Sequence, residues 1–279
     1  MSLSTAWKPA EPDIAAVRSC HADPLGALAR ADIPAILLRR AYPADHCRGL
    51  VQRFLADGLM HDPSVPLEPG QRTRIDIGTS LGNKGSDREQ FFAHAAQTRA
   101  LFTGGLFTGL ADPVQLMYRC LAELAPDKDV LVAREPDGRQ YGPAIFRIHY
   151  DSHAYRPHID HVSLREKRFD YAVSRFTHQF AGVLCVQNAD DQGPGPQALL
   201  HRCLWNEQIQ PHIEAGNFHA YAQIRRLPSC RVELEPGDLY FFNTQCIHEV
   251  PAVAGTQPRI VLAVFIGYAP EDGEIYVWS

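Results

Sequence analysis

Pro236-Gly237-Asp238-Leu239-Tyr240-Phe241-Phe242-Asn243-Thr244-Gln245-Cys246-Ile247-His248-Glu249-Val250 is the stretch whose reading decides the fold. Pro-Gly-Asp sets a tight turn. The apolar run after it reads as a strand, and the next segment as a return strand that carries His248. A second turn at 255–258 reverses the chain, so Arg259 enters a partner of the His248 strand. The same rhythm extends outward from about residue 141. Short β-rich segments at 144–150, 156–161, 178–188, 197–204, 229–234, 238–243, 246–253, 259–268 and 274–278 alternate with turn clusters, among them 190–196 and 235–238. Many short strands with regular turn signals indicate a sandwich or barrel. One break, 206–224, has room for a short helix.

The first 140 residues have a different character. Segment 34–40 reads as a strand. Helical spacing of apolar residues marks 43–55, 87–104 and 112–125, the last with Leu116, Cys120 and Leu124 on one stripe. The Gly/Ser/Asn-rich stretch 78–85 reads as a loop. With no repeat and no linker, the expectation is one domain over 1–279: a mixed, largely helical support region at 1–140 and a β core with the metal site at 141–279.

Composition narrows the function classes. The chain has 279 residues, 45% hydrophobic and 21% charged, with a net charge of −5 and no basic stripe. Nucleic acid is therefore not an expected partner. No apolar run approaches membrane-spanning length, and the N-terminus lacks a signal-peptide core. The default expectation is a cytoplasmic protein, with a homo-oligomer left open. Seven scattered cysteines without a Cys-x-x-Cys argue against a disulfide framework or a cysteine-based zinc site. Cys246, two residues before His248, reads as a small buried apolar residue.

The chemistry centres on Tyr155-Arg156-Pro157-His158-Ile159-Asp160. Residues two apart in a strand share a face, so His158 and Asp160 point the same way. His248, from a distant strand, completes a set of two histidines and one carboxylate. That set suits non-heme Fe(II) with positions open for a co-substrate and oxygen. A rival pair, His149 and Asp151, shares a face with Arg147 that reads as the wetter side of its strand, so His149 is expected to be a surface or hydrogen-bonding histidine. Arg259 offers a guanidinium that can grip a carboxylate bidentately.

On the Tyr-x-Pro-His-x-Asp run, the Pro-Gly-Asp turn, His248 and Arg259, the chain resembles the Fe(II)/2-oxoglutarate-dependent oxygenases. The resemblance implies a mainly β fold with flanking helices around a double-stranded β-helix (jelly-roll) core. Gln140-Tyr141-Gly142-Pro143-Ala144, Leu204-Trp205-Asn206 and the segment from Glu274 to Ser279 are similar to the carrier-independent indole-alkaloid halogenases and the related hydroxylases of N-substituted amino acids. The halogenases have glycine where this chain has Asp160, so the resemblance implies hydroxylation. It further implies Fe(II) on His158, Asp160 and His248, with O2 taking the last position. 2-Oxoglutarate would chelate the iron, place its distal carboxylate on Arg259 and leave as succinate and carbon dioxide. Some members carry a serine two residues after the arginine. Here that position is Val261, so Arg259 needs another helper, such as a Tyr or Thr hydroxyl.

Segment 162–176 follows the metal strand and has two readings, a solvated loop or a lid over substrate. Arg165 within it, together with Arg74 and Arg202, are candidates to bind a substrate carboxylate. With the resemblance they favour a small anionic molecule such as an N-acyl amino acid. The alternatives are a neutral alkaloid-type or peptidyl substrate, a cupin-like metalloenzyme that does not use 2-oxoglutarate, and a jelly-roll binding module.

Overall fold

The computed structural model describes residues 7–68, 70–189 and 198–279. Among them, twelve strands are β1 (Ala35–Leu38), β2 (Arg74–Ile77), β3 (Asp129–Val132), β4 (Ile145–His149), β5 (Tyr155–His158), β6 (His178–Gln187), β7 (Leu199–Leu204), β8 (Ser229–Arg231), β9 (Leu239–Asn243), β10 (Cys246–Val250), β11 (Arg259–Tyr268) and β12 (Glu274–Trp278). Helices α1 (Ile14–Cys20), α2 (Pro24–Ala29), α3 (Ala44–Ala56), α4 (Leu81–Lys84), α5 (Arg88–Leu101) and α6 (Pro113–Leu124) precede the β core, and α7 (Gln210–Glu214) and α8 (Phe218–Arg225) interrupt it.

The strands form two sheets. The larger runs β1-β9-β6-β11-β12-β3, with β4 and then β2 continuing from the first half of β11. The smaller runs β5-β10-β7-β8. Together with the flanking helices they make the jelly-roll core that the sequence suggested.

Side-chain alternation assigns the faces of the large sheet. On β11, Ile260, Leu262, Val264 and Ile266 join Phe146, Leu184 and Phe241 in a fully buried cluster against Phe54 of α3 and Met117 and Leu121 of α6. Each such side chain contributes about 1.5–3 kcal/mol on burial. The opposite face carries Arg259 and Val261 of β11 and Arg147 and His149 of β4, and it lines a cavity between the sheets. Strand parity therefore aims Arg259 inward.

The Pro-Gly-Asp turn is fixed by specific contacts. Gly237 has φ +99°, and a Cβ there would lie 2.2 Å from the Tyr42 carbonyl oxygen, so only glycine fits. Asp238 is buried and accepts from the backbone N–H groups of Arg40 (2.8 Å) and Glu235 (3.0 Å), and from Arg39 Nη1 (2.9 Å). This clasp locks the entry to β9.

Several expectations need correction. Stretch 78–85 is not purely a loop, because one helical turn, α4, forms at its centre. The helix expected over 87–104 ends at Leu101 and passes into a π turn at Phe102–Leu106, where Gly105 takes φ +115°. The segment expected over 229–234 is paired only as far as Arg231. On α6 the buried stripe is Val114, Met117, Cys120, Leu121 and Leu124, with Leu116 at its margin. The turn expected at 190–196 lies outside the described residues. Among the described residues, no helix is long and apolar enough to cross a membrane.

Candidate active site

Antiparallel pairing of β10 with β5 sets His248 directly opposite His158. Their ring centroids are 4.3 Å apart. Asp160, just beyond β5, closes the third side: its Oδ2 is 3.6 Å from His158 Nε2 and 3.5 Å from His248 Nε2. The three ligand atoms lie within 4.8 Å of one another.

Both imidazoles are held in the same manner. His158 Nδ1 bonds the Arg156 carbonyl (2.7 Å) and His248 Nδ1 the Cys246 carbonyl (2.9 Å), each two residues back along its own strand. A carbonyl only accepts, so each Nδ1 carries a proton, and each Nε2 faces the shared centre. This is the support that metal-binding histidines require. Burial and the neighbouring His158 push His248 below its usual range, which favours the neutral, ligating form. Burial alone would raise the Asp160 carboxyl, but His158 and His248 beside it outweigh that and hold it well below the usual carboxylate range. The other oxygen, Oδ1, accepts from Arg165 Nη1 at 2.5 Å. The donor set, two imidazoles and one carboxylate on one side of a cavity, fits a divalent iron with positions left open.

Arg259 lines the same cavity and is 4% exposed. Among the described residues no carboxylate pairs with it. Its Nη1 donates to His149 Nδ1 at 3.2 Å, and His149 Nε2 bonds the Tyr155 hydroxyl at 3.0 Å. Burial and the adjacent Arg259 charge drive the His149 pKa well below its usual value, so the ring is neutral and can accept from the guanidinium. His149 is thus a hydrogen-bond partner of Arg259, and Tyr240, a hydroxyl of the expected kind, lines the same cavity. The surface reading of His149 is corrected, because the polar face of β4 lines the cavity between the two sheets. His149 and Asp151 do not converge on His248; Asp151 is exposed and bonds Ser152 and Gly255.

The expected substrate arginines have separate fates. On the large sheet, β2 sets Arg74 and β11 sets Arg259 on either side of His149, in one rung across three strands. Arg74 forms a two-pronged pair with Asp76, at 2.7 and 2.5 Å, and lines an outer cleft that also contains His158, Asp160 and Arg165. Arg165 is committed to Asp160. Arg202 bonds the Ala31 carbonyl at 3.2 Å and lies away from the cavity. Sequence reasoning passed over Arg147, which lines both the inner cavity and the outer cleft and forms no ion pair among the described residues; its Nε is buried without a hydrogen bond. Its signal was the two-residue spacing to His149. Segment 162–176 is anchored at its ends, with Val162, Tyr171, Val173 and Phe176 buried and the Tyr171 hydroxyl on the Gly85 carbonyl at 2.9 Å.

The hydrogen bond between His149 and Arg259 makes a specific prediction. His149→Leu keeps the bulk but removes an acceptor from a charged donor, a loss of about 1.5–3 kcal/mol. Apparent 2-oxoglutarate affinity is expected to fall by roughly tenfold or more, while iron affinity is unchanged. His149→Asn, which restores an acceptor, should recover part of the loss. Equal titration curves for all three proteins would remove His149 from this role.

Comparison with known proteins gives a family. The model of the family described as carrier-protein-independent halogenase WelO5 matches residues 11–279. Among solved structures, the chain is similar to an N-substituted L-amino acid dioxygenase from Burkholderia ambifaria AMMD, with 18% identity, a TM-score of 0.58, and 91% of this chain and 90% of that one covered. The complex of such a dioxygenase from the same organism with alpha-ketoglutarate is similar at 17% identity and a TM-score of 0.56, again covering 91% and 90%. At these identities the likeness speaks for the fold. No curated protein matches the chain.

Proposed function

The chain belongs to the family of the carrier-protein-independent halogenase WelO5, and from that premise we propose that this Fe(II)/2-oxoglutarate oxygenase hydroxylates a small carboxylate, such as an N-acyl amino acid. His158, Asp160 and His248 are the proposed iron ligands, and Arg259 is the proposed anchor for the distal carboxylate of 2-oxoglutarate. The observation that carries the reading is the Asp160 carboxylate, poised 3.5 and 3.6 Å from the two imidazoles. A halide at iron needs the position that this carboxylate takes.

The chemistry that bound iron supplies is oxidation of a C–H bond coupled to decarboxylation of 2-oxoglutarate. The residues supply placement. Arg259, steadied by neutral His149, meets the distal carboxylate in a buried cavity where a charged hydrogen bond is strong. Arg165 holds Asp160 Oδ1 and so leaves Oδ2 facing the histidines. Arg147, open to both cavity and cleft, is the favoured partner of the substrate carboxylate, with Arg74 on the same wall. A substrate of the kind named for the Burkholderia ambifaria protein suits this arrangement.

The test is a panel of N-substituted amino acids incubated with ferrous iron, 2-oxoglutarate and air, followed by mass spectrometry and succinate analysis. Gain of one oxygen atom, with chloride present and not incorporated, is the expected result. Chlorinated product would overturn the hydroxylase reading. The amide of an accepted acid should bind worse by about 1–3 kcal/mol, because it leaves a guanidinium unpaired. Added salt should weaken the acid more than the amide. Equal turnover of acids, amides and uncharged alkaloids would refute the anionic substrate and leave the iron site untouched.

A further inference from the structure

The small sheet has a second polar cluster on its other face. Strand alternation that turns His248 and Leu200 toward the cavity turns Glu249 and His201 away from it. β7 and β10 are paired, with Glu249 opposite Leu199, so His201 and Glu249 stand as diagonal neighbours on that outer face. α8 then lays His219 over them. His201 Nε2 is 3.0 Å from Glu249 Oε1, and His219 Nε2 is 2.8 Å from the same oxygen. All three ligand atoms lie within 4.8 Å of one another. His201 and Glu249 are buried, whereas the His219 side chain is 64% exposed.

We propose that His201, His219 and Glu249 form a second metal site, for a divalent ion of the zinc class, that fastens α8 to the outer face of the small sheet. Two imidazole nitrogens and one carboxylate are a competent donor set for zinc, with water in the fourth position. Neighbouring ligand atoms of a tetrahedral ion with bonds of about 2.0–2.1 Å lie about 3.3–3.4 Å apart. The observed 3.0 and 2.8 Å therefore need to open by only a few tenths of an ångström, and His219, on the solvent side, is free to move outward. The site is open to solvent on the His219 side, which gives the ion an entry path.

The site lies back to back with the proposed iron centre. Glu249 follows His248, and beneath α8 the side chains of Phe218 and Ala222 pack with Ile247 and Ile159, the neighbours of His248, His158 and Asp160. An ion here braces the wall from which the iron ligands project without touching them.

Metal-free wild type and His219→Ala are titrated with Zn2+ by calorimetry. Because His219 is exposed, its loss leaves the core intact; unchanged circular dichroism checks this. The variant should take up one equivalent fewer than wild type. Loss of an outer-shell partner alone costs roughly 10–100-fold in metal affinity, so loss of a ligand should lower the affinity of that equivalent by at least about 100-fold. Glu249→Gln should do the same, and excess Zn2+ should raise the melting midpoint of wild type more than that of either variant. Equal stoichiometry in wild type and His219→Ala overturns the proposal, as does binding that is unaltered by Glu249→Gln. His158→Ala separates this site from the other: it should keep the His219-dependent equivalent even if the iron reading fails.

Discussion

Arg259→Ala is expected to raise the apparent constant for 2-oxoglutarate far more than that for the substrate to be oxidised. The side chain is buried, shares its cavity with the proposed iron ligands and is held by His149. Truncating one partner of such a buried charged pair costs about 2–5 kcal/mol, roughly 30-fold to a few thousand-fold in the constant. Arg259→Lys should recover only part of this, since an ammonium cannot grip a carboxylate with two parallel bonds. Succinate formation across a 2-oxoglutarate series separates the two constants. An unchanged dependence on 2-oxoglutarate would defeat the anchor role and favour a metalloenzyme of cupin type.

Asp160→Gly is the second large effect. It removes the carboxylate that faces both Nε2 atoms and pairs with Arg165. Outer-shell changes cost roughly 10–100-fold, and loss of a ligand itself should cost more than about 100-fold in hydroxylation. The opened position should admit halide weakly, but productive halogenation is not expected, because nothing else around the centre has been rebuilt for it. Bromide titration followed by optical spectroscopy reads the first effect, and product mass the second. Full hydroxylation by the variant would take Asp160 out of the ligand set.

The β core was legible because its signals are local. Period-two alternation and Pro/Gly punctuation placed β6, β9, β11 and β12 within a residue or so of their observed limits. Strands β2 and β3 were missed. Each is four residues long and exists through its partner, β4 for one and β12 for the other, and β3 pairs in parallel with the far end of the chain. Such pairing leaves no trace in a local window. The convergence of His158, Asp160 and His248 was foreseen from spacing. Alternation also separated the faces of β4 but could not say which was interior, and the polar face was assigned outward. A polar cavity between the sheets inverts the usual rule, which is why His149 and Arg147 were undervalued. Arg202 went astray for the opposite reason: the chain is rich in arginine, and only three-dimensional placement tells a surface arginine from one in the cavity.

The position of β5 carries a consequence for upkeep of the protein. It is four residues long, lies at the border of the small sheet and, among the described residues, pairs with β10 alone. Borders of this kind fray and invite foreign strands. His158 and His248 face each other across that single seam, so an ion shared between them would rivet the hem as well as serve the reaction. Scarcity of iron would then act twice, idling the enzyme and loosening this edge.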